Sequence, residues 1–341
     1  MKSFRLLLKL LYLMFTVSCA AKVVTLDTFL PFELEVSMTH SVVFATFAED
    51  SEQLKHTIIL AESIRKFCGD YAGAPVHVYL PQSLLNDEPE LIQKLMELDV
   101  RCMVPSSPNS RTGQMYFAGK VYAAAEAEKT ARAAGIDLLI WVDEDTIFLQ
   151  QPDCLMLPDN VQFGYRPVMH NRSGVAWGES PNPFWKRIYE LLKIEPSMTF
   201  SMVAPADEAE IEAYFNAGLL VVRPGHGIME RWVLCFETLC EDKELFQMCM
   251  DHVEHRIFVH QTALVGAVLP YLERDQMMEL PDTVNYPLFF DQMFKAAGKF
   301  ESLNGKVSIR YDVYFRNPAP DWRDRLKGDT EIVEFLLRKF S

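Results

Sequence analysis

The sequence predicts an α/β fold with a mainly parallel central sheet, and two patterns carry that expectation. From Met38 onward, short apolar β-rich runs alternate with helical segments, the order that builds βαβ units. No internal repeat, low-complexity segment or Gly/Ser-rich linker breaks the alternation, so one continuous domain over 38–341 is expected. Right-handed crossovers between parallel strands would place helices on both faces of the sheet.

The elements follow in order. Ser41–Phe47 (SVVFATF) reads as the first strand and Ala48-Glu49-Asp50-Ser51 as a helix start. Leu54–Phe67 carries Ile58, Ile59, Leu60, Ile64 and Phe67 at helical spacing. Pro75–Leu80 is a second strand, Glu90–Leu98 a helix and Val100–Val104 a third strand. Tyr116–Ala134 is an Ala-rich helix ended by Gly135, and Leu138–Leu149 (LLIWVDEDTIFL) is a strand that breaks into acids and resumes. Further on, Val161–Pro167 and Tyr214–Arg223 read as strands, and Asn182–Lys193, Met229–Cys240, Lys243–His255 and Gln261–Leu272 as helices. Val307–Val313 is a last short strand and Asp329–Phe340 an amphipathic helix.

The chain has 341 residues, with 33 Lys+Arg against 47 Asp+Glu and a net charge of −14. At 49% hydrophobic and 23% charged, it has the balance of a globular protein rather than a disordered or multi-span membrane protein. So acidic a chain is not a general nucleic-acid binder, which must neutralise phosphates with many Lys and Arg. Residues 1–21 have a basic start, an apolar stretch and a small-residue ending, the pattern of a signal peptide or N-terminal anchor, followed by a linker over 22–37. The apolar run Leu10–Val17 is far too short to span a bilayer. Thr16-Val17-Ser18-Cys19 also resembles a bacterial lipoprotein box, which would lipidate Cys19. A membrane-associated or secretory placement is expected from this segment, and a cytoplasmic one if translation starts at Met38.

Seven cysteines occur without a CxxC pair, mostly beside apolar residues, as buried free thiols do. Cys240, Cys249, His252 and His255 are four potential zinc ligands whose spacing fits no usual finger or ribbon. They are expected to be ordinary residues of a helix and its preceding loop.

The chemistry concentrates in Ile140-Trp141-Val142-Asp143-Glu144-Asp145-Thr146-Ile147-Phe148. On an extended chain residues i and i+2 share a side. Asp143 and Asp145 should therefore project together, roughly 6–7 Å apart, with Glu144 facing away. Paired carboxylates repel and resist burial unless a cation lies between them. They form an all-oxygen site suited to Mn²⁺ or Mg²⁺, and such a metal can stabilise a departing diphosphate. The apolar run Leu138–Val142 places the acids at the C-terminal end of a buried strand, where open α/β sheets bind ligands. A solvated acidic turn capping the next element is the competing account.

Here the chain resembles the nucleotide-diphospho-sugar transferases of the GT-A fold, especially the glycogenin and galactosyltransferase-like families, over roughly Thr39 to Tyr314. Four features carry the resemblance: the strand running into Asp143-Glu144-Asp145 with Pro152 beyond, Phe215-Asn216-Ala217-Gly218 entering a later strand, Ala45-Thr46 ending the first strand, and Lys120 in the helix before the acids. The resemblance implies that Asp143 and Asp145 hold a divalent metal, Mn²⁺ or Mg²⁺, and the donor diphosphate, Asp143 also near the ribose. It implies a nucleobase pocket lined by Ala45 and Thr46, a donor contact from Lys120, and a sugar and acceptor side shaped by Asn216 and Gly218. Gln261, in His260-Gln261-Thr262, matches the middle of the family's Asp-Gln-Asp and is the catalytic candidate there, both flanking acids being replaced. The family's late metal-binding His is absent from Val307-Ser308-Ile309-Arg310-Tyr311-Asp312, where Asp312 is the candidate substitute.

The resemblance further implies a nucleotide-sugar donor, a UDP-sugar first, and an acceptor that is a glycan, lipid or protein. His170 and Arg172 face either an acceptor or solvent, and Trp177, Trp185 and Tyr286 either stack on a sugar or pack in the core. An inverting mechanism would need a base, with Glu179 and Asp291 as candidates. Two other functions compete. One is a haloacid-dehalogenase-type phosphohydrolase, whose D-x-D-x-T pattern differs because Thr146 follows Asp145 directly. The other is a non-catalytic binding protein on the same fold.

Overall fold

The computed structural model describes residues 40–288, 301–311 and 320–340. Strand β1 (Val42–Phe47) leads into helix α1 (Ser51–Phe67), whose N-terminus is capped by the Asp50 carboxylate accepting from the Gln53 amide at 2.8 Å. There follow β2 (Val76–Tyr79), α2 (Gln82–Asp87), α3 (Pro89–Glu97), β3 (Val100–Met103), α4 (Ala118–Ala133), β4 (Leu138–Val142) and β5 (Thr146–Phe148). Next come β6 (Phe163–Tyr165), α5 (Pro183–Leu192), β7 (Ser201–Ala204), β8 (Ala209–Glu212) and β9 (Leu219–Val222). The chain continues through α6 (Ile228–Glu241), α7 (Lys243–Asp251), α8 (Val253–Val268), β10 (Met277–Glu279), β11 (Tyr286–Pro287), β12 (Ser308–Arg310), α9 (Trp322–Arg325) and α10 (Thr330–Lys339).

Seven strands form the main sheet in the order β10-β6-β9-β4-β1-β2-β3. β1 pairs in parallel with β2 and β4, β2 with β3, and β6 with β10, while β9 runs antiparallel to both β4 and β6. The expected α/β architecture with a mainly parallel sheet is thus observed. The strands are apolar on both faces because helices cover both. Val43, Ala45, Leu139, Trp141 and Leu220 pack with Val121, Ala124 and Ala127 of α4, and with Trp232 of α6 and Leu264 of α8. Their strand neighbours Val42, Phe44, Leu138, Ile140, Val142 and Leu219 pack on the other side with Leu54, Leu60 and Ile64 of α1 and Leu95 of α3. Each fully buried Val, Leu, Ile or Phe contributes roughly 1.5–3 kcal/mol, so the ends of β1 and β4 rest on a firm base.

A small second sheet, β11-β12-β5, lies beside the first, with β12 antiparallel to β5 and Arg310 opposite Thr146. Ile147, Ile309, Tyr311, Trp322, Phe335 and Leu336 form its own apolar cluster.

Three expectations are corrected, and one hairpin is additional. Leu138–Leu149 is not one interrupted strand: β4 and β5 belong to different sheets, joined by a turn at the acids. The helix break expected between 255 and 261 falls at His252, which is extended and starts α8 at Val253. The expected strand Tyr214–Arg223 shortens to β9, because 216–218 make a side-chain-supported bend. The hairpin β7–β8 was not foreseen, its strands being short and half-exposed.

The N-terminal segments 1–21 and 22–37 lie outside the described residues. No described helix is long and apolar enough to cross a membrane. The Cys240–His255 cluster assembles no group of three or more potential metal ligands among the described residues. His255 instead stacks flat on Phe184, ring centroids 3.9 Å apart.

Candidate active site

The site is built where β4 ends. The antiparallel register of β4 with β9 sets Val142 opposite Leu219, so Asp143 emerges beside the Asn216-Ala217-Gly218 bend. The Asp143 amide donates to the Gly218 carbonyl at 2.7 Å. Asn216 Oδ1 accepts from the Gly218 amide at 2.8 Å and from Asn285 Nδ2 at 3.2 Å. A Cβ on Gly218 would lie 2.9 Å from Asn216 Oδ1 and 3.1 Å from Asp143 Oδ2, so only glycine lets the two motifs meet this closely. Two sequence-distant motifs are one hydrogen-bonded unit.

The turn corrects one sequence expectation. The Thr146 amide donates to the Asp143 carbonyl at 3.1 Å, which folds residues 143–146 back and cancels the strand period of two. Glu144 therefore lines the same cavity as Asp143 and Asp145 instead of facing away.

Each acid of the pair is met by a cation. Lys120, buried on the first turn of α4, is ion-paired with Asp143 Oδ1. Arg310, at the end of β12, sets Nε 3.2 and 3.3 Å from the two oxygens of Asp145 and Nη2 3.5 Å from Asp143 Oδ2. Burial alone would push the Asp143 carboxyl up, but the Lys120 ammonium and Arg310 guanidinium outweigh it and hold it below the usual carboxylate range. Glu144 has the opposite fate: burial, and then the charges of Asp145 and Asp143, drive its carboxyl well above the ordinary value. Burial, reinforced by Lys120, pulls the His260 imidazole down to about 3, so it is neutral.

The sequence placed Mn²⁺ or Mg²⁺ between Asp143 and Asp145. The donor set does not fit a divalent ion there. A guanidinium already bridges the two carboxylates, an ammonium takes the remaining Asp143 oxygen, and no group of three His, Cys, Asp or Glu side chains able to hold a metal forms there among the described residues. Asp312, the candidate substitute for the missing histidine, lies outside the described residues.

Two cavities meet at Arg310. One, of about 270 Å³, is lined by Phe47, Glu49, Gln53, Phe117, Lys120, Trp141, Asp143, Glu144 and Asp145. The other, of about 220 Å³, includes His170, Tyr214, Asn216, Phe258, Gln261, Asn285 and Pro287. Arg310 is in the wall of both. Ala45 and Thr46 are fully buried in β1, and the cavity wall from that strand is Phe47. Gln261 and Asn216 thus share the second cavity, while Lys120 and the acids share the first, with Gly218 beneath the junction.

Other candidates disperse. Arg172 pairs at 3.6 Å with Glu254 on the surface. Trp177 is exposed, Trp185 is core with Nε1 donating to the Ser173 carbonyl at 2.5 Å, and Tyr286 lines a smaller neighbouring cavity. Glu179 is exposed and lines neither cavity, and Asp291 lies outside the described residues.

Arg310, Asn285 and Phe117 also line the cavities, outside any of the motifs above. Asn285 and Phe117 both hold left-handed backbone, at φ 55° and 62°, a costly state for side-chain-bearing residues that is characteristic of functional sites. No sequence signal marks them. For Arg310, a lone basic residue within an apolar β-run was the available clue.

A family model described as the Rhodobacterales glycosyltransferase domain matches residues 45–268, most of the chain. The chain belongs to that family. It is accordingly a glycosyltransferase, as its resemblance implied, and the phosphohydrolase and pure binding-protein alternatives fall away. No curated protein matches the sequence. Among solved structures, the galactosyltransferase LgtC, in complex with donor and acceptor sugar analogs, is 13% identical, with 87% of this chain and 95% of that chain covered and a TM-score of 0.47. The bifunctional glycosyltransferase WbbM is 12% identical, covering 90% and 53% with a TM-score of 0.44. Core-mannan synthase A from Aspergillus fumigatus, in its Mn/GDP form, is 11% identical, covering 72% and 73% with a TM-score of 0.42.

Proposed function

We propose that this glycosyltransferase takes its sugar from a nucleoside-diphosphate donor, a UDP-sugar first, bound in the charged cavity. The sugar passes to a hydroxyl of a glycan, lipid or protein held in the second cavity. The observation that carries this reading is the pair of cavities sharing one wall, Arg310, at the C-terminal end of β4. A diphosphate suits the first cavity. Lys120 and Arg310 border it, the first turn of α4 faces it with the positive end of a helix dipole, and buried Trp141 Nε1 has no hydrogen-bond partner among the described residues. Phe47 and Phe117 give it aromatic walls for a base. The second cavity suits sugar hydroxyls, because Gln261 Oε1 and Asn285 Oδ1 line it without hydrogen-bond partners among the described residues.

In the transfer, the acceptor oxygen forms the new bond to the anomeric carbon. The old C–O bond breaks with its electron pair going to the diphosphate, and the acceptor's proton is released to solvent. A divalent metal has no step in this reading, because Arg310 fills the space between the acids. The test is a thermal-shift screen of UDP-, GDP- and other nucleotide sugars on the full chain, followed by an assay for release of the nucleoside diphosphate. Saturable stabilisation by one donor class with turnover is expected. Stabilisation by none of them, with no turnover, removes the reading.

A further inference from the structure

Resting on the nucleoside-diphosphate reading above, we propose that Arg310 is the resident cation of this active site, so that donor binding and transfer need no divalent metal. The acids then serve to hold cations rather than to coordinate one from solution. Asp145 receives Arg310 Nε on both oxygens, at 3.2 and 3.3 Å, and Asp143 is shared between Lys120 and Arg310 Nη2. The arrangement neutralises two buried carboxylates with two side-chain charges, the condition under which paired acids can be buried at all.

The same geometry aims Arg310 outward. Its side chain is 34% exposed while Asp143 and Asp145 are 12% and 6% exposed, so the cation is the most accessible of the three charged groups and lines both cavities. A guanidinium carries five N–H donors in a planar fork that matches phosphate oxygens. The acids are engaged through Nε and Nη2. The strand beneath is fixed by its register, Ile309 opposite Ile147 and Arg310 opposite Thr146, and by the Tyr311 amide donating to the Asp145 carbonyl at 3.1 Å. Arg310 is therefore preorganised. When the donor's C–O bond breaks and the diphosphate oxygen keeps the electron pair, the added negative charge develops beside Arg310 and Lys120, the requirement for electrostatic stabilisation of a leaving group.

The experiment measures binding of UDP and of GDP to the purified full chain by calorimetry, once in EDTA and once in MnCl₂. Wild type is expected to bind one of them with the same Kd, within about twofold, in both conditions. Arg310→Ala is expected to lose at least about tenfold in affinity in both, equivalent to about 1.4 kcal/mol, while Arg310→Lys keeps part of it. Wild-type binding that disappears in EDTA and returns with manganese overturns this inference and leaves the donor reading standing. Unchanged affinity in a folded Arg310→Ala protein also overturns it. Absence of binding in both conditions removes the donor reading and this inference together. If Arg310→Ala does not fold, the EDTA comparison on wild type decides alone.

Discussion

The two cavities on either side of Arg310 settle their polar groups in opposite ways. On the Asp143 side the charges are matched within the protein, carboxylate to ammonium and guanidinium, with side chains no more than about a third exposed. On the Gln261 side two buried amide oxygens are left without partners among the described residues. A self-matched ion cluster is rigid and keeps its geometry whether or not a ligand is present. Unpartnered amide oxygens carry a desolvation cost that a ligand's hydroxyls can relieve. The difference teaches that one side is prepared for charge and the other for hydrogen-bond specificity.

Substitutions should separate the two sides. The largest effect is expected from Asp145→Ala, which leaves Arg310 without its main partner. Transfer should fall roughly 10²–10³-fold. Stability should fall by about 2–3 kcal/mol, less than the ~3–5 kcal/mol of a fully buried pair because Arg310 is partly exposed. Product formation and urea denaturation measure both, and unchanged activity would erase the distinction between the cavities.

Gln261→Ala, which removes a hydrogen-bonding group worth about 1–3 kcal/mol, should slow transfer by roughly tenfold to 10²-fold while nucleotide affinity stays within about twofold of wild type, a split read from kcat and from calorimetry. A matching loss of nucleotide affinity would merge the two cavities into one site. Gly218→Ala should press its Cβ on Asp143 and Asn216 together, costing about 1–3 kcal/mol of stability and weakening both donor binding and transfer.

The smallest effect is a pH dependence. His260 has a depressed folded-state value, about 3 against an ordinary 6.5, so it favours the native state fully above pH 6.5. That contribution is lost as the pH falls from 6.5 toward 3, at about 1.4 kcal/mol per pH unit. Urea midpoints measured at falling pH should show this slope in wild type and a shallower one in His260→Gln. Equal slopes would show that neither burial nor Lys120 keeps the His260 imidazole neutral in the native state.

The sequence alone determined the layer architecture. Alternating strands and helices announced the parallel sheet, and the apolar runs SVVFATF and LLIWV marked strands buried in the core. These features are local, since backbone period and burial are written in neighbouring residues. For the same reason the acid pair and the Asn216-Ala217-Gly218 bend were legible, each as a strand end. The turn geometry that brings Glu144 round to the cavity was not, because a single hydrogen bond from the Thr146 amide overrides the strand period.

What occupies the space between Asp143 and Asp145 was decided only by tertiary structure. Electrostatics required a cation there, and the sequence could name the requirement but not its source. Arg310 arrives from 165 residues beyond Asp145, on a strand whose pairing with β5 has no local signal, because contacts so distant in sequence depend on register and topology rather than on pattern.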